Sequence, residues 1–478
     1  MMKVALAVLP CEKGKYSVQT DALLPRCGSI ISKASYALPP IGLMYVSSIL
    51  RQRAGCRVSL IDCVVARQTE GQLIEFIRSE SPNALIFATG ASTFEHDKKL
   101  LERVKRIFPS LILIAVGGHA TILAEEVLGE SHIDFVIRGE PELTAADLIG
   151  SLSRGGSCDG VDGIAFKRNG TIVITPPRKL LENIDELPFP ARDLTARYKY
   201  AIPFAKSNNF TIMLTSRGCP YPCIFCATRI YDGSRCRMRT ADNIIAELDQ
   251  IVRTSPIRDV GFWDDTFTLR RSHVVGICTL IIQRRLEVDW ICLSRVDTVD
   301  GDLLRLMKRA GCYQIQYGVE SGDQRILDSI QKGITIEQVK KAFQETRRSG
   351  IETVAFFMFG CPGETVETME KTIALAKELD ADYASFNIVT PYPGTRLYEI
   401  YQEQIKGNWR NFDGFHVAIK NELSPEDIRR YLRRAYRVFY FRPLYMLRRI
   451  SHPASLGKII RQIRVGWQLF LKFVTSGG

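Results

Sequence analysis

Three cysteines fall close together in this chain: Cys219, Cys223 and Cys226, in the run Ser216-Arg-Gly-Cys-Pro-Tyr-Pro-Cys-Ile-Phe-Cys-Ala227. Thiolates spaced C-x₃-C-x₂-C on one short loop suit an iron–sulfur cluster, because soft sulfur ligands hold iron and one loop reaches one side of a cubane. Gly218, Pro220 and Pro222 supply the turn that gathers them. A four-iron cubane has four corners, so three local ligands leave one iron open for chemistry. A structural zinc site closes instead with four ligands, commonly as two C-x₂-C pairs. No second pair exists here, and the histidines lie far away in sequence. Cys11, Cys27, Cys56, Cys63, Cys158, Cys236, Cys278, Cys292, Cys312 and Cys361 are scattered singly. They read as small buried hydrophobes of a reducing compartment, not as a disulfide framework.

The elements that must carry this loop follow an α/β rhythm. Short β-branched runs at 4–9, 57–61, 84–88, 111–116 and 134–137 alternate with helical stretches near 43–53, 70–79, 95–107, 121–129 and 142–152. That alternation predicts an N-terminal doubly wound, Rossmann-like parallel sheet, with its binding crevice at the strands' carboxyl ends. A hairpin around Asn169-Gly170 and a proline-rich linker follow. A second α/β run has strand candidates at 210–215, 258–263, 290–293, 313–319, 352–358 and 383–389. Six βα units fit an open partial barrel. The expected units are residues 1–155, a hairpin and linker at 156–205, the partial (β/α)₆ barrel at 206–400, and a basic helical C-terminal region at 401–478.

The net charge of +12 sits in one place. After Asp427 the chain has twelve basic residues and no acidic one; the remaining 52 basic residues equal the acidic count. Ile428, Tyr431, Leu432, Ala435, Val438 and Phe439 make one apolar helical stripe there, and Ile459, Ile460, Ile463, Trp467 and Phe470 a second. Basic amphipathic helices suit an anionic membrane surface; the alternative is that the stripes pack on the barrel and the arginines face water. No signal peptide and no run of about 18 apolar residues is present. The expectation is a cytoplasmic protein, with peripheral contact at the inner membrane face assigned to the tail. Nucleic acid is the weaker partner, since no RNA-binding module follows the barrel.

The cysteine triplet, with Phe225 before its last member, resembles the signature of the radical S-adenosylmethionine (SAM) enzymes. The resemblance implies a [4Fe–4S] cluster on Cys219, Cys223 and Cys226 whose open iron is chelated by SAM. Electron transfer from a donor such as flavodoxin or ferredoxin then yields a 5′-deoxyadenosyl radical. It also implies SAM contacts from Asp264 or Asp265, where an acceptor for the ammonium is needed, and from Arg295 toward the carboxylate. The alternative for Arg295 is a surface salt bridge with Asp297. Glu320, in Gly318-Val-Glu-Ser-Gly322, is implied at the ribose hydroxyls. Cys361 stands where the family usually has an aromatic residue, and Arg237-Met-Arg239 reads as a basic stretch before a helix.

The N-terminal region resembles the cobalamin-binding domain of the B12-dependent radical SAM group. The match rests on Pro39-Pro-Ile-Gly42, Val58-Ser-Leu-Ile-Asp62, the loops Thr89-Gly-Ala-Ser92-Thr93 and Gly117-Gly118-His119, and Arg138-Gly-Glu140-Pro-Glu142. Ser92, Thr93, Gly117, Gly118 and His119 are thereby candidate cobalamin contacts. One departure stands out. Cobalamin domains that ligate cobalt by histidine carry Asp-x-His-x-x-Gly after the second strand, and here that place reads Asp62-Cys-Val-Val-Ala-Arg67. His119 reads as a loop or tail contact rather than a cobalt ligand.

The expected activity is a class B-like, cobalamin-dependent methylation of an unactivated carbon on a small-molecule or lipid-like substrate. A radical SAM cyclase or ring-rearranging oxidoreductase on a lipid or tetrapyrrole is the rival. A methylthiotransferase is disfavoured for want of a second N-terminal cysteine triad, and a non-catalytic corrinoid or cluster sensor is the reading from another class.

Overall fold

The computed structural model describes residues 1–11, 17–19, 30–32, 38–203, 205–405, 409, 412, 416–417, 419 and 422–451. Its strands are β1 Lys3–Val8, β2 Ser17–Gln19, β3 Ile30–Ser32, β4 Arg57–Asp62, β5 Ala84–Ala88, β6 Ile112–Val116, β7 Phe135–Ile137, β8 Ile164–Arg168, β9 Thr171–Ile174, β10 Phe210–Met213, β11 Ser216–Arg217, β12 Arg237–Met238, β13 Asp259–Phe262, β14 Asp289–Ser294, β15 Cys312–Glu320, β16 Glu352–Phe359 and β17 Tyr383–Ile388. The helices are α1 Ile41–Arg53, α2 Glu70–Glu80, α3 Phe94–Ile107, α4 Gly118–Ile122, α5 Ala124–Gly129, α6 Pro141–Ser153, α7 Thr228–Tyr231, α8 Ala241–Thr254, α9 Arg271–Gln283, α10 Gly301–Arg309, α11 Gln324–Ser329, α12 Ile336–Arg348, α13 Val366–Leu379, α14 Arg396–Ile405, α15 Pro425–Tyr440 and α16 Pro443–Ser451.

The first sheet has the order β4-β1-β5-β6-β7-β8-β9, with β1 and β4–β7 parallel. Strands such as Ala84–Ala88 are apolar throughout because helices cover both faces of such a sheet. The Asn169-Gly170 hairpin does not stand apart. It extends this sheet, β8 pairing antiparallel with β7, and its turn uses positive φ at both residues (49° and 80°). The single helix expected at 121–129 is two: α4 begins already at Gly118, and Leu123, at φ −109° and ψ 40°, breaks the chain between α4 and α5.

The second sheet runs β10-β13-β14-β15-β16-β17, all parallel and in chain order, and its end strands do not pair. This is the open barrel. The period of two sorts β15: Ile315, Tyr317 and Val319 enter the helix-side core, so Gln314, Gln316, Gly318 and Glu320 take the inner face. Helices outside start on side-chain caps, as at Thr240, Asp300, Thr335 and Thr365.

The first tail helix has settled on the barrel. Ile428, Leu432, Ala435, Tyr436 and Phe439 of α15 join the barrel core, so this stripe is spent on packing and the arginines take the outer side. Tyrosine hydroxyls also cap the edge strand: Ala384 N donates to Tyr440 Oη (3.1 Å), which donates to Ala384 O (2.7 Å), and Tyr436 does the same at Phe386. The second stripe, 459–470, lies outside the described residues. Among the described residues no helix is long and apolar enough to cross a membrane.

Candidate active site

The cysteine loop leaves β11 at Gly218, whose φ of +91° and lack of a side chain are both required: a Cβ there would lie 2.8 Å from Asp232 O. Cys219, Cys223 and Cys226 are partly buried and free of disulfides. Cys226 Sγ donates to Thr228 Oγ1 (3.4 Å), which donates to Asp265 Oδ1 (2.8 Å), and Cys219 Sγ sits 4.0 Å from Thr266 Oγ1. Burial pushes the Cys226 thiol up to about 12; a soft cation, which binds only the thiolate, would bring it down. Among the described residues no group of three ligand side chains is placed to hold a single metal ion. A cubane makes a different demand, one thiolate for each of three separate irons.

The paired carboxylates after β13 do different jobs. Asp264, 1% exposed, accepts from the backbone N–H and hydroxyl of both Thr215 and Ser216, so it pins the approach to the cysteine loop. Burial raises its carboxyl to about 6 against those four bonds. Its oxygens are therefore engaged with this chain, and Asp265 is the member of the pair beside the thiols.

Arg295 follows β14 and its guanidinium lies 3.5 Å from the ring centroid of Tyr221, inside the cysteine loop. It makes a two-pronged pair with Asp297 (2.9 and 3.0 Å) and donates to Lys332 O (2.9 Å). The pair with Asp297 exists, but it is buried rather than on the surface. Glu320 ends β15 with φ +69° and pairs with Lys332 Nζ at 2.7 Å. Burial lowers the Lys332 ammonium's pKa, yet Glu320 and the nearby Cys223 outweigh that and hold it above the usual value. Nothing local in Gln331-Lys-Gly333 signals this lysine; it reaches the site because the turn closing α11, with Lys332 N donating to Leu327 O (2.9 Å), returns the chain to the end of β15. Cys361 is fully buried in the apolar cluster with Ile224, Phe225 and Val389, so it acts as a packed residue. Beside it Glu364 accepts from Gly360 N and, at 3.2 Å, Cys361 N, and burial raises it to about 8.

The mouth of the first sheet faces this site. Ala91 and Leu123 join Phe225 in that apolar cluster, a Cβ on Gly118 would touch Tyr231 Oη, and Gly394 sits against Ile122 and Ile230. The loop after β5 is tied by Thr93 Oγ1, which accepts from Gly90 N (3.1 Å), and by Thr89 Oγ1, which donates to Asp97 (2.8 Å). Ser92 is half-buried beside them. Gly117 takes φ +102°, a conformation that suits glycine. His119 is 4% exposed between Phe94 (4.9 Å) and Trp409 (5.3 Å), and neither ring nitrogen has a hydrogen-bond partner. Burial lowers its pKa to about 4, so the ring is neutral. Small residues at two strand ends with an orphaned buried imidazole fit a large ligand with a polar tail. After β4, Asp62 accepts from Val64 N, Val65 N and Tyr200 Oη, closing a turn that carries no histidine. A cavity of roughly 430 Å³ lies beside that edge strand, lined by Ile61, Gln68, Phe76, Arg197 and Lys199, away from every candidate residue.

The carboxylates of Glu140 and Glu142 do not point into the first sheet's mouth. They reach across to Arg217 and Arg237, on either side of the cysteine loop. Arg239 likewise is buried on Glu247 with Arg192.

A largely parallel sheet whose mouth faces a cysteine-bearing open barrel makes a two-part α/β architecture. Residues 213–376 match the radical SAM superfamily and residues 29–149 the B12 binding domain. An uncharacterized methyltransferase of Pyrococcus horikoshii is 35% identical over 439 residues, covering 90% of this chain and 94% of the relative. The anaerobic magnesium-protoporphyrin IX monomethyl ester cyclase of Rubrivivax gelatinosus is 29% identical over 383 residues, covering 77% and 67%. Among solved structures, the cobalamin-dependent SAM radical enzyme OxsB, with aqua-cobalamin and SAM bound, has a TM-score of 0.74 at 17% identity, covering 100% of this chain and 73% of that one, a likeness of fold. The chain belongs to the B12-binding radical SAM family.

Proposed function

We propose that this chain methylates an unactivated carbon of a small-molecule or lipid-like substrate held between its two mouths. The observation that supports this reading is the close packing of Gly118 on Tyr231 and of Gly394 on Ile122, which brings the mouth of the first sheet up against the barrel's. When bound, the cluster supplies the electron that cleaves SAM to its adenosyl radical, and cobalamin supplies the methyl group.

The chain's own residues bind and orient. Cys219, Cys223 and Cys226 would hold three irons, with Phe225 packing behind them. Asp265 would accept from the SAM ammonium, Arg295 would meet its carboxylate, and Glu320, paired with Lys332, would accept from the ribose hydroxyls. Ser92, Thr93, Gly117, Gly118 and His119 would take the cobalamin tail. Electrons would come from a flavodoxin or ferredoxin. Exposed Leu444 and Met446 beside the basic tail support peripheral contact with an anionic inner membrane face, as a lipid-like substrate would use.

Anaerobic reconstitution tests the core of it. Iron-loaded protein with SAM and reductant should release 5′-deoxyadenosine, and serine at all three cysteines should abolish that; no release by the wild type removes the enzyme reading. With methyl-deuterated SAM and an extract of cells lacking the gene, the product should carry deuterium. An unlabelled product would instead favour the ring-forming chemistry named in the cyclase relative.

A further inference from the structure

Arg217 stands two residues before Cys219 and pairs across β11 and β12 with Arg237. Both guanidinium groups leave the barrel and enter the first sheet's side. Arg217 donates to Glu140 (3.1 Å) and Glu142 (2.6 Å), and Arg237 donates to both oxygens of Glu140 (2.8 and 3.0 Å). Arg217 also lies over the Tyr45 ring of α1, 5.3 Å from its centroid. All four ionic side chains are at most 10% exposed. Two cations and two anions balance, and the carboxylates sit at the amino end of α6, where the helix dipole favours them.

Each side of this joint is stiff. Gly218 sits so close under the loop after α7 that a Cβ there would lie 2.5 Å from Arg235 O and 2.8 Å from Asp232 O, so the backbone at this point is closely packed. Glu140 follows Gly139 at φ +77° and precedes Pro141, which starts α6. A displacement of the first sheet is therefore passed through these side chains to the residue next to the cysteine loop. An interface held by apolar contact alone would slide; a buried set of paired forks has one register.

We propose that Arg217, Arg237, Glu140 and Glu142 form the spacer that fixes the distance between the two cofactor sites, with Glu142 and Arg217 as its positioning residues. Resting on the two-cofactor reading above, this assigns to the Arg-Gly-Glu-Pro-Glu segment a role in geometry, separate from holding cobalamin.

Pulsed EPR of the full-length protein with reduced cluster and cob(II)alamin reads that separation directly. The wild type should give one narrow distance distribution. Glu142→Gln should broaden or lengthen it while iron and cobalamin contents stay at wild-type levels, and Glu142→Asp should restore part of the narrowness. Glu142→Gln and Glu140→Gln, both fully loaded and both with the wild-type distribution, would overturn the spacer. If neither loads, Arg217→Lys, which keeps the charge and loses the fork, decides by the same two outcomes. A wild type that binds iron but no cobalamin defeats the two-cofactor reading instead. Spin-labelled unnatural residues on the solvent faces of α3 and α8 then decide the spacer in the same variants, a wild-type distribution again overturning it.

Discussion

The two mouths that face each other are built on opposite plans. At the barrel end the candidate residues are charged, buried and already engaged: Asp264 with four donors, Arg295 with Asp297 and Tyr221, Glu320 with Lys332. At the sheet end they are small or neutral, and the one ionisable ring among them has no hydrogen bond. The barrel end holds its geometry through ion pairs before any ligand arrives. The sheet end offers glycine and small side chains instead. A site for a small zwitterion needs fixed charges at set distances, whereas a site for a bulky macrocycle needs backbone that can be approached.

Substitutions at the two ends should separate these plans. Glu320→Gln leaves the Lys332 ammonium buried and unpaired, and should cost about 3–5 kcal/mol in urea unfolding. A loss under about 1 kcal/mol would mean the barrel site is not pre-tensioned in this way.

At the sheet end His119→Phe should be close to neutral at pH 7, since the phenyl ring has no nitrogens to leave unpaired, while weakening cobalamin binding. The pH dependence carries the sign. His119 has its folded pKa lowered from about 6.5 to about 4, so the unfolded chain takes the proton first as pH falls. Stability present above pH 6.5 is lost between about 6.5 and 4, by about 3 kcal/mol, and the variant escapes that loss. His273, lowered to about 4 by the same burial, remains in both proteins and cancels in the difference. Equal pH profiles would show that His119 is solvated. The smallest effect belongs to Thr93→Ala, which removes the hydroxyl's bonds with Gly90 N (3.1 Å) and Gly90 O (3.2 Å) and should cost about 1–2 kcal/mol, visible as a shift of a few degrees in melting.

Strands and the cysteine loop were legible because their signals are local. β-branched runs at 84–88 and 210–215, the Asn169-Gly170 turn and the C-x₃-C-x₂-C spacing each lie within a few residues. The cross-chain partnerships were not. Lys332 meets Glu320 through the turn closing α11, and no local pattern couples Arg217 to residues some 75 positions earlier. The Arg138-Gly-Glu-Pro-Glu142 segment reads as cobalamin-site chemistry, yet its acids serve the interface between sheet and barrel. The Asp264-Asp265 pair could not be resolved by sequence, because burial assigns one to the fold and leaves the other at the thiols. For the first tail stripe, amphipathicity suits a membrane and a protein core equally, and only contact with β17 separates them.

The hydroxyls of Tyr436 and Tyr440 on β17 bear on how this protein can be dissected. An open barrel ends in a ribbon of backbone donors and acceptors that would otherwise recruit a strand from a neighbouring molecule. Truncation at Asp427, where the charge pattern invites a cut, would strip that sheath and produce insoluble material. The resulting loss of function would then be mistaken for loss of lipid affinity. Shortened forms meant to probe the cationic terminus should keep everything through Tyr445, whose own hydroxyl reaches Asp382 O at 2.8 Å.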